Sequence, residues 1–184
     1  MLTTTANMRP RLTLPVGERD HVQGPPTAAV TLVEYGDYQC PYCLRAHPIL
    51  VDLRAQLGDT MRLVFRNFPL ATVHPNAQHA AEAAEAAGAQ GRFWQMHDSL
   101  FEHQSRLDDA ALLRYAAEIG LDVGQFERDM EEHRFAPRVR EDFQSGIRSG
   151  VNGTPTFFIN GLRHDGTWDF ETLAGAILAA VDQP

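Results

Sequence analysis

Ala29-Val30-Thr31-Leu32-Val33-Glu34-Tyr35 is a short, largely β-branched run closed by Gly36, and Cys40-Pro41-Tyr42-Cys43 follows four residues later. Apolar and polar residues then fall at helical spacing, with Leu44, His47, Leu50, Val51, Arg54 and Leu57 before Gly58, where a helix stop belongs. Met61 to Arg66 alternates apolar and basic residues, the pattern of a second strand. A strand, a helix and a strand joined so tightly predict a right-handed parallel unit, with the cysteine pair at the first strand-to-helix junction.

Cys40 and Cys43 are the only cysteines among the 184 residues. A disulfide between them would close a very small loop and constrain almost none of the unfolded chain, so the pair reads as chemistry rather than as a staple. At this spacing one thiolate can attack a disulfide and the second can resolve the mixed disulfide. The length suits one domain with room for an insertion, and a 43% apolar fraction can fill an ordinary core. A net charge of −8 argues against a general nucleic-acid binder, which would carry a basic stripe. No stretch is long and apolar enough to span a membrane, and Met1 to Asp20 lacks the continuous apolar core of a secretory signal. The expected location is the cytoplasm, where an accessible disulfide tends to be held reduced.

Residues 1–27 end in Gly24-Pro25-Pro26 and read as an N-terminal arm excluded from any sheet. Residues 74–150 read as helix upon helix. Ala77 to Ala89 is alanine-rich, Phe93 to Phe101 carries an apolar stripe, and Asp108 and Asp122 are helix openers. Phe135 to Ile147 reads as the last helix of this block. Thr156 to Ile159 is another strand, and Asn160-Gly161 signals a tight hairpin to Leu162-Arg163-His164. A helix from Phe170 to Val181 closes the chain. The expected fold is therefore α/β: a mixed sheet built as βαβ then ββα from residues 28–73 and 151–184, with helices on both faces and residues 74–150 inserted as a helical subdomain.

The order of strand, Cys-Pro-Tyr-Cys, helix, helical block and then Gly153-Thr154-Pro155-Thr156 before a strand resembles the thioredoxin fold. Phe68-Pro69-Leu70, His74-Pro75 and Gly91-Arg92-Phe93-Trp94 are further similar to the soluble bacterial DsbA-like thiol–disulfide oxidoreductases. The resemblance covers roughly residues 28 to 182. It implies Cys40 as nucleophile at the helix start, where free N–H groups and the helix dipole favour a thiolate, and Cys43 as the shielded resolving thiol. Pro41 suits the first helical turn. Tyr42 stands where exported DsbA oxidants carry His, which implies a milder oxidant; otherwise it is an exposed aromatic. Pro155 matches the family's cis-proline, leaving the Thr154 backbone to pair with an extended substrate segment.

Glu34, six residues before Cys40, matches a buried acid of the family that relays the proton of Cys43; alternatively it emerges at a sheet edge or pairs with Arg62 or Arg66. His47, one turn beyond Cys43, is either a thiolate partner, a metal ligand or a surface-packing side chain. Pro48 kinks the helix. Tyr35, Tyr38, Phe68, Phe93 and Trp94 either rim a substrate groove or pack in the core. The function implied is disulfide exchange with protein or peptide substrates, supplied by a thiol pool or a redox partner protein. The only redox group is the Cys40–Cys43 couple, with no other cofactor and no metal. A second reading, from another class, is a metal-binding or redox-sensing module that joins the cysteines to His74 or His79.

Overall fold

A computed structural model describes residues 9–181; Met1 to Met8 and Asp182 to Pro184, at the ends of the expected arm and C-terminal segment, lie outside the described residues. The elements in chain order are β1 (His21–Gln23), β2 (Val30–Gly36), α1 (Pro41–Leu57), a 3₁₀ turn (Gly58–Thr60), β3 (Met61–Asn67), α2 (Ala77–Ala89), α3 (Phe93–Glu102), α4 (Asp109–Glu118), α5 (Val123–Glu131), α6 (Ala136–Arg148), β4 (Thr156–Ile159), β5 (Leu162–Arg163) and α7 (Phe170–Val181). The five strands form one sheet in the order β1-β3-β2-β4-β5. β2 and β3 are parallel, and all other neighbouring pairs are antiparallel.

β2 is central, so both of its faces are buried and its sequence is nearly continuous in apolar residues. Leu32, Leu63, Phe157 and Ile159 face α1 and α7, where Leu50, Leu53, Leu173 and Ile177 close one core. Val33, Tyr35, Val64 and Phe158 face the other way, against Phe68, Val151 and Phe143 of α6. A third cluster fills the space among α2 to α5 and runs through Phe65 and Tyr38 to Cys40 and Cys43. The inserted helices therefore share a core with the cysteine site. The last residue of β2 is Gly36, where a Cβ would lie 2.4 Å from the Phe65 ring. Asn160 and Gly161 both take positive φ, 47° and 79°, as a two-residue primed hairpin turn between β4 and β5 requires.

The expectation that residues 1–27 stay out of the sheet is corrected. His21–Gln23 pairs antiparallel with β3 at one sheet edge. At the opposite edge, Leu12 N–H donates to Gly161 O (2.8 Å) and Arg163 N–H donates to Pro10 O (2.9 Å). The segment between crosses the face shared with α6, where Thr13 meets Ser149 (3.0 Å) and Leu12, Val16 and Val22 join the apolar cluster. Gly24-Pro25-Pro26 ends this strap after β1. The prolines do remove donors, but only beyond the three residues that pair.

Candidate active site

α1 begins at Pro41 with Cys40 as its N-cap residue in extended conformation, and no side chain caps the first turn. The first-turn N–H groups are thus left for the Cys40 sulfur. Cys40 and Cys43 are free thiols, and the small residual exposure belongs to Cys40, at 3% against 0% for Cys43. The Cys40 pKa is lowered from 9.0 to about 5. The first cause is a hydrogen bond from the Cys43 thiol; the Thr154 hydroxyl and the Cys43 and Tyr42 N–H groups add to it, against the opposing effect of burial. Burial, the bond to Cys40 and the nearby Glu34 push Cys43 well above its ordinary value. The pair is therefore polarised into a thiolate at Cys40 and a thiol at Cys43.

Thr154 faces Cys40 from the loop before β4. Its carbonyl oxygen lies 3.4 Å from Cys40 Sγ and accepts from it only while Cys40 is protonated; its buried hydroxyl has no other partner among the described residues. The Thr154–Pro155 bond is cis. Glu34 is 2% exposed, and its pKa is raised from 4.5 to about 8, first by burial and then by the charge of Cys40. The alternatives for it are resolved by register. Glu34 lies opposite Phe65, whereas Arg62 and Arg66 alternate onto the other face of β3. Arg66 pairs with Asp20 (2.8 Å), and Arg62 bonds Thr31 (2.8 Å). Among the described residues Glu34 is a buried acid without a cation, within electrostatic reach of both sulfurs.

Two residues not singled out in the sequence hold the turn between β2 and α1. Asp37 accepts from Gln39 N–H (2.7 Å) and Leu70 N–H (2.8 Å), contacts His74 Nδ1 (2.8 Å), and its own N–H donates to Cys43 Sγ (3.4 Å). Gln104, from the loop after α3, donates to the carbonyls of Tyr38 and Cys40, both at 2.9 Å. The aspartate after Gly36 is a recognisable turn residue; nothing local marks the glutamine.

Other expected site residues are redistributed. Tyr35, Tyr38, Phe68 and Phe93 are core residues rather than a rim, and Trp94 is half-buried with its N–H on Val22 O (3.3 Å). The exposed aromatic beside the cysteines is Tyr42, over which the Arg45 guanidinium lies at 5.0 Å; the same guanidinium lies 5.5 Å from the ring of Trp168. Tyr42, Arg45, Ile49 and Trp168 line a shallow groove of about 580 Å³. A smaller one, lined by Pro155, Phe157 and Trp168, adjoins the cis-proline. His74 and His79 are engaged by Asp37 and Asp109, and neither joins the cysteines in a three-ligand cluster among the described residues.

A CxxC dithiol at a helix start, facing a cis-proline loop on a sheet of this order, defines a thioredoxin-fold protein with an inserted helical block. The thioredoxin family model matches residues 17–179, and the chain belongs to that family. A thioredoxin-like oxidoreductase from Silicibacter pomeroyi is 32% identical, with a TM-score of 0.80 over 91% of this chain and 95% of that one. BdbD from Bacillus subtilis, at 22% identity, superposes with a TM-score of 0.81 over 95% and 96% of the two chains. The α-DsbA1 protein of Wolbachia pipientis, at 21% identity, gives 0.79 over 92% and 94%. The fold neighbours are thus of the DsbA type. Among curated relatives, a protein named Na⁺/H⁺ antiporter NhaA 1 from Salinispora arenicola is 50% identical over 163 residues, which is 89% of this chain and 25% of the relative. The chain thus spans about a quarter of the length of the curated relatives it matches. Among the described residues no helix is long and apolar enough to cross a membrane.

Proposed function

We propose that this chain is a thiol–disulfide oxidoreductase, and the observation that carries the proposal is the opposite polarisation of the two cysteines. The Cys40 thiolate attacks one sulfur of a substrate disulfide, forming the Cys40–substrate bond and releasing the other sulfur as a thiolate. Cys43 then loses its proton and attacks Cys40 Sγ. The Cys40–Cys43 disulfide forms, the second substrate thiolate leaves, and two electrons have passed to the substrate. Run backwards, the same steps oxidise a substrate dithiol. Glu34, held near neutrality by burial, takes up or returns the Cys43 proton. Thr154 and Pro155 present backbone to an extended protein or peptide substrate, and Pro41 and Tyr42 form the near edge of the groove that receives it. No cofactor beyond the two sulfurs enters these steps; a thiol pool or partner protein closes the cycle.

The Cys40 value of about 5 lies between the nucleophilic cysteines of thioredoxin, about 7, and DsbA, about 3.5. With Tyr42 lending only its backbone N–H, the potential is expected between about −270 and about −120 mV. Equilibration with glutathione and trapping of free thiols measures it, and a value at the −120 mV end would sink the intermediate assignment. Cys40→Ser should abolish exchange with a peptide disulfide, whereas Cys43→Ser should accumulate the mixed disulfide; exchange surviving in Cys40→Ser would refute the activity itself.

The ion exchange named for the curated relatives we assign to the three quarters of their length that this chain does not match. Cytoplasmic exposure of the site belongs to the same proposal. A maleimide that cannot cross membranes should leave Cys40 unlabelled in intact cells and label it after lysis.

A further inference from the structure

One turn beyond Cys43 on α1, His47 faces α3 and meets two side chains of it. One ligating atom from each of His47, His97 and Asp98 lies within 4.8 Å of the other two. The imidazole centres of His47 and His97 are 5.3 Å apart, tilted by 60°. Two imidazoles on one tetrahedral ion, with metal–nitrogen distances of about 2.0–2.1 Å, place their ring centres roughly 5 Å apart. The observed spacing needs little adjustment to meet that condition.

Neither histidine is used by the disulfide chemistry. Both rings pack on aromatics, His47 stacked on Phe101 at 4.9 Å and His97 edge-on to Phe65 and Phe101, yet each also turns a ring nitrogen toward a polar group. His97 is 2% exposed on the apolar side of α3, and its Nδ1 is engaged by the Tyr38 hydroxyl at 3.0 Å. A hydrogen bond of that kind fixes the orientation of an imidazole and leaves its other nitrogen free to bind an ion. His47 Nε2 stands 3.6 Å from Asp98 Oδ1, too far for a hydrogen bond. Two imidazoles and a carboxylate converging on one point are a donor set of the kind that divalent transition-metal ions take.

The surrounding charge agrees. Glu102, one turn beyond Asp98, places a second carboxylate within electrostatic reach of His47 and Asp98, with the Arg54 guanidinium opposing it. Asp98 is about half exposed, which leaves an entry path and room for water in a fourth position.

We propose that His47, His97 and Asp98 form a binding site for one divalent transition-metal ion of the zinc class, held between α1 and α3. Imidazole and carboxylate donors suit such an ion, and its ligands would tie the helix that carries the cysteines to the inserted helical block.

Cysteine thiolates bind zinc as well, so the test uses the full chain with Cys40→Ser and Cys43→Ser together, which also separates this inference from the disulfide chemistry. After equilibrium dialysis against zinc, bound metal is counted by elemental analysis, and cobalt is substituted for a visible spectrum of its coordination. One zinc per chain is expected, with a cobalt spectrum showing nitrogen and oxygen ligation. Adding His47→Gln or Asp98→Asn, both on the solvent side of the cluster, should each weaken binding at least about tenfold, no less than the loss of an outer-shell partner does. His97→Gln is not relied on, because its ring is packed in the core. Absence of zinc in the double-serine protein, or zinc affinity unchanged by both His47→Gln and Asp98→Asn, overturns the site.

Discussion

Glu34 and Arg66 are buried ionisable groups on neighbouring strands of one sheet, and their surroundings could hardly differ more. Arg66 is fully buried and fully answered. Its guanidinium donates to both oxygens of Asp20 (2.8 and 3.0 Å), to the carbonyls of Leu14 and Pro15, and to the Tyr35 hydroxyl. These bonds raise its pKa against the burial that would lower it, so it stays charged. Glu34, on the opposite face, has two sulfurs nearby and no cation among the described residues, and it responds by holding its proton to about pH 8. A buried charge whose hydrogen bonds are all met is a fastening; here it ties the strap of residues 14–20 to the sheet. A buried acid left without a partner beneath a thiol has a proton to exchange at working pH.

The largest effect should come from breaking the fastening. Arg66→Met strands Asp20 in the interior, and removing one member of a buried pair costs about 3–5 kcal/mol. Denaturant titration of the disulfide and dithiol forms should show that loss in both, while the alkylation midpoint of Cys40 stays near pH 5. A stable Arg66→Met protein, or one whose thiol titration moves, would erase the distinction between the two charges.

Glu34→Gln is the converse experiment and should cost little stability. At acid pH the glutamine replaces a carboxyl that is already neutral. The resolving step should slow by about tenfold, a modest share of what positioned proton transfer supplies, and the inflection near pH 8 should vanish from its rate profile. Stability carries the same signature. Between pH 4.5 and about 8 folded Glu34 keeps a proton that the unfolded chain releases, so its contribution falls as pH rises and is level above that window. Between about pH 5 and 9 the unfolded chain keeps the proton that folded Cys40 has lost, so stability of the dithiol form rises with pH. The two slopes oppose each other from about pH 5 to 8. Glu34→Gln removes the falling one, so the variant's dithiol form should gain stability with pH more steeply than the parent, by up to about 1.4 kcal/mol per pH unit. Parallel profiles would mean that Glu34 is ionised throughout.

What could be read in advance follows from how local each signal is. The dithiol turn, the Asn160-Gly161 hairpin and the loop before β4 are each encoded within a few adjacent residues, and all three form where their residues stand. The partner of Glu34 could not be read, because it depends on the register of β2 against β3. One residue of slip would bring Arg66 to its side. The strap was missed for a related reason. Three residues, His21 to Gln23, carry no periodicity of their own, and only the edge of β3 makes them a strand. The histidines of α1 and α3 are 50 positions apart and meet only because the helical block folds back onto the cysteine helix.

Gln104 offers the finest cut, since it belongs to the insertion yet holds the carbonyls of Tyr38 and Cys40. If the insertion merely shelters the site, as the strap merely fastens the sheet, Gln104→Ala should cost about 1 kcal/mol for two neutral hydrogen bonds to a partly exposed turn. The Cys40 titration should then move by less than about half a pH unit, because the amide touches carbonyl oxygens and not the sulfur. Alkylation of Cys40 across pH, with denaturation run alongside, separates the cases. A midpoint displaced upward by a unit or more at unchanged fold would show that Gln104 fixes the direction of the first-turn N–H groups toward the sulfur. The helical block would then belong with Glu34 on the side of chemistry, as a positioning element for the thiolate.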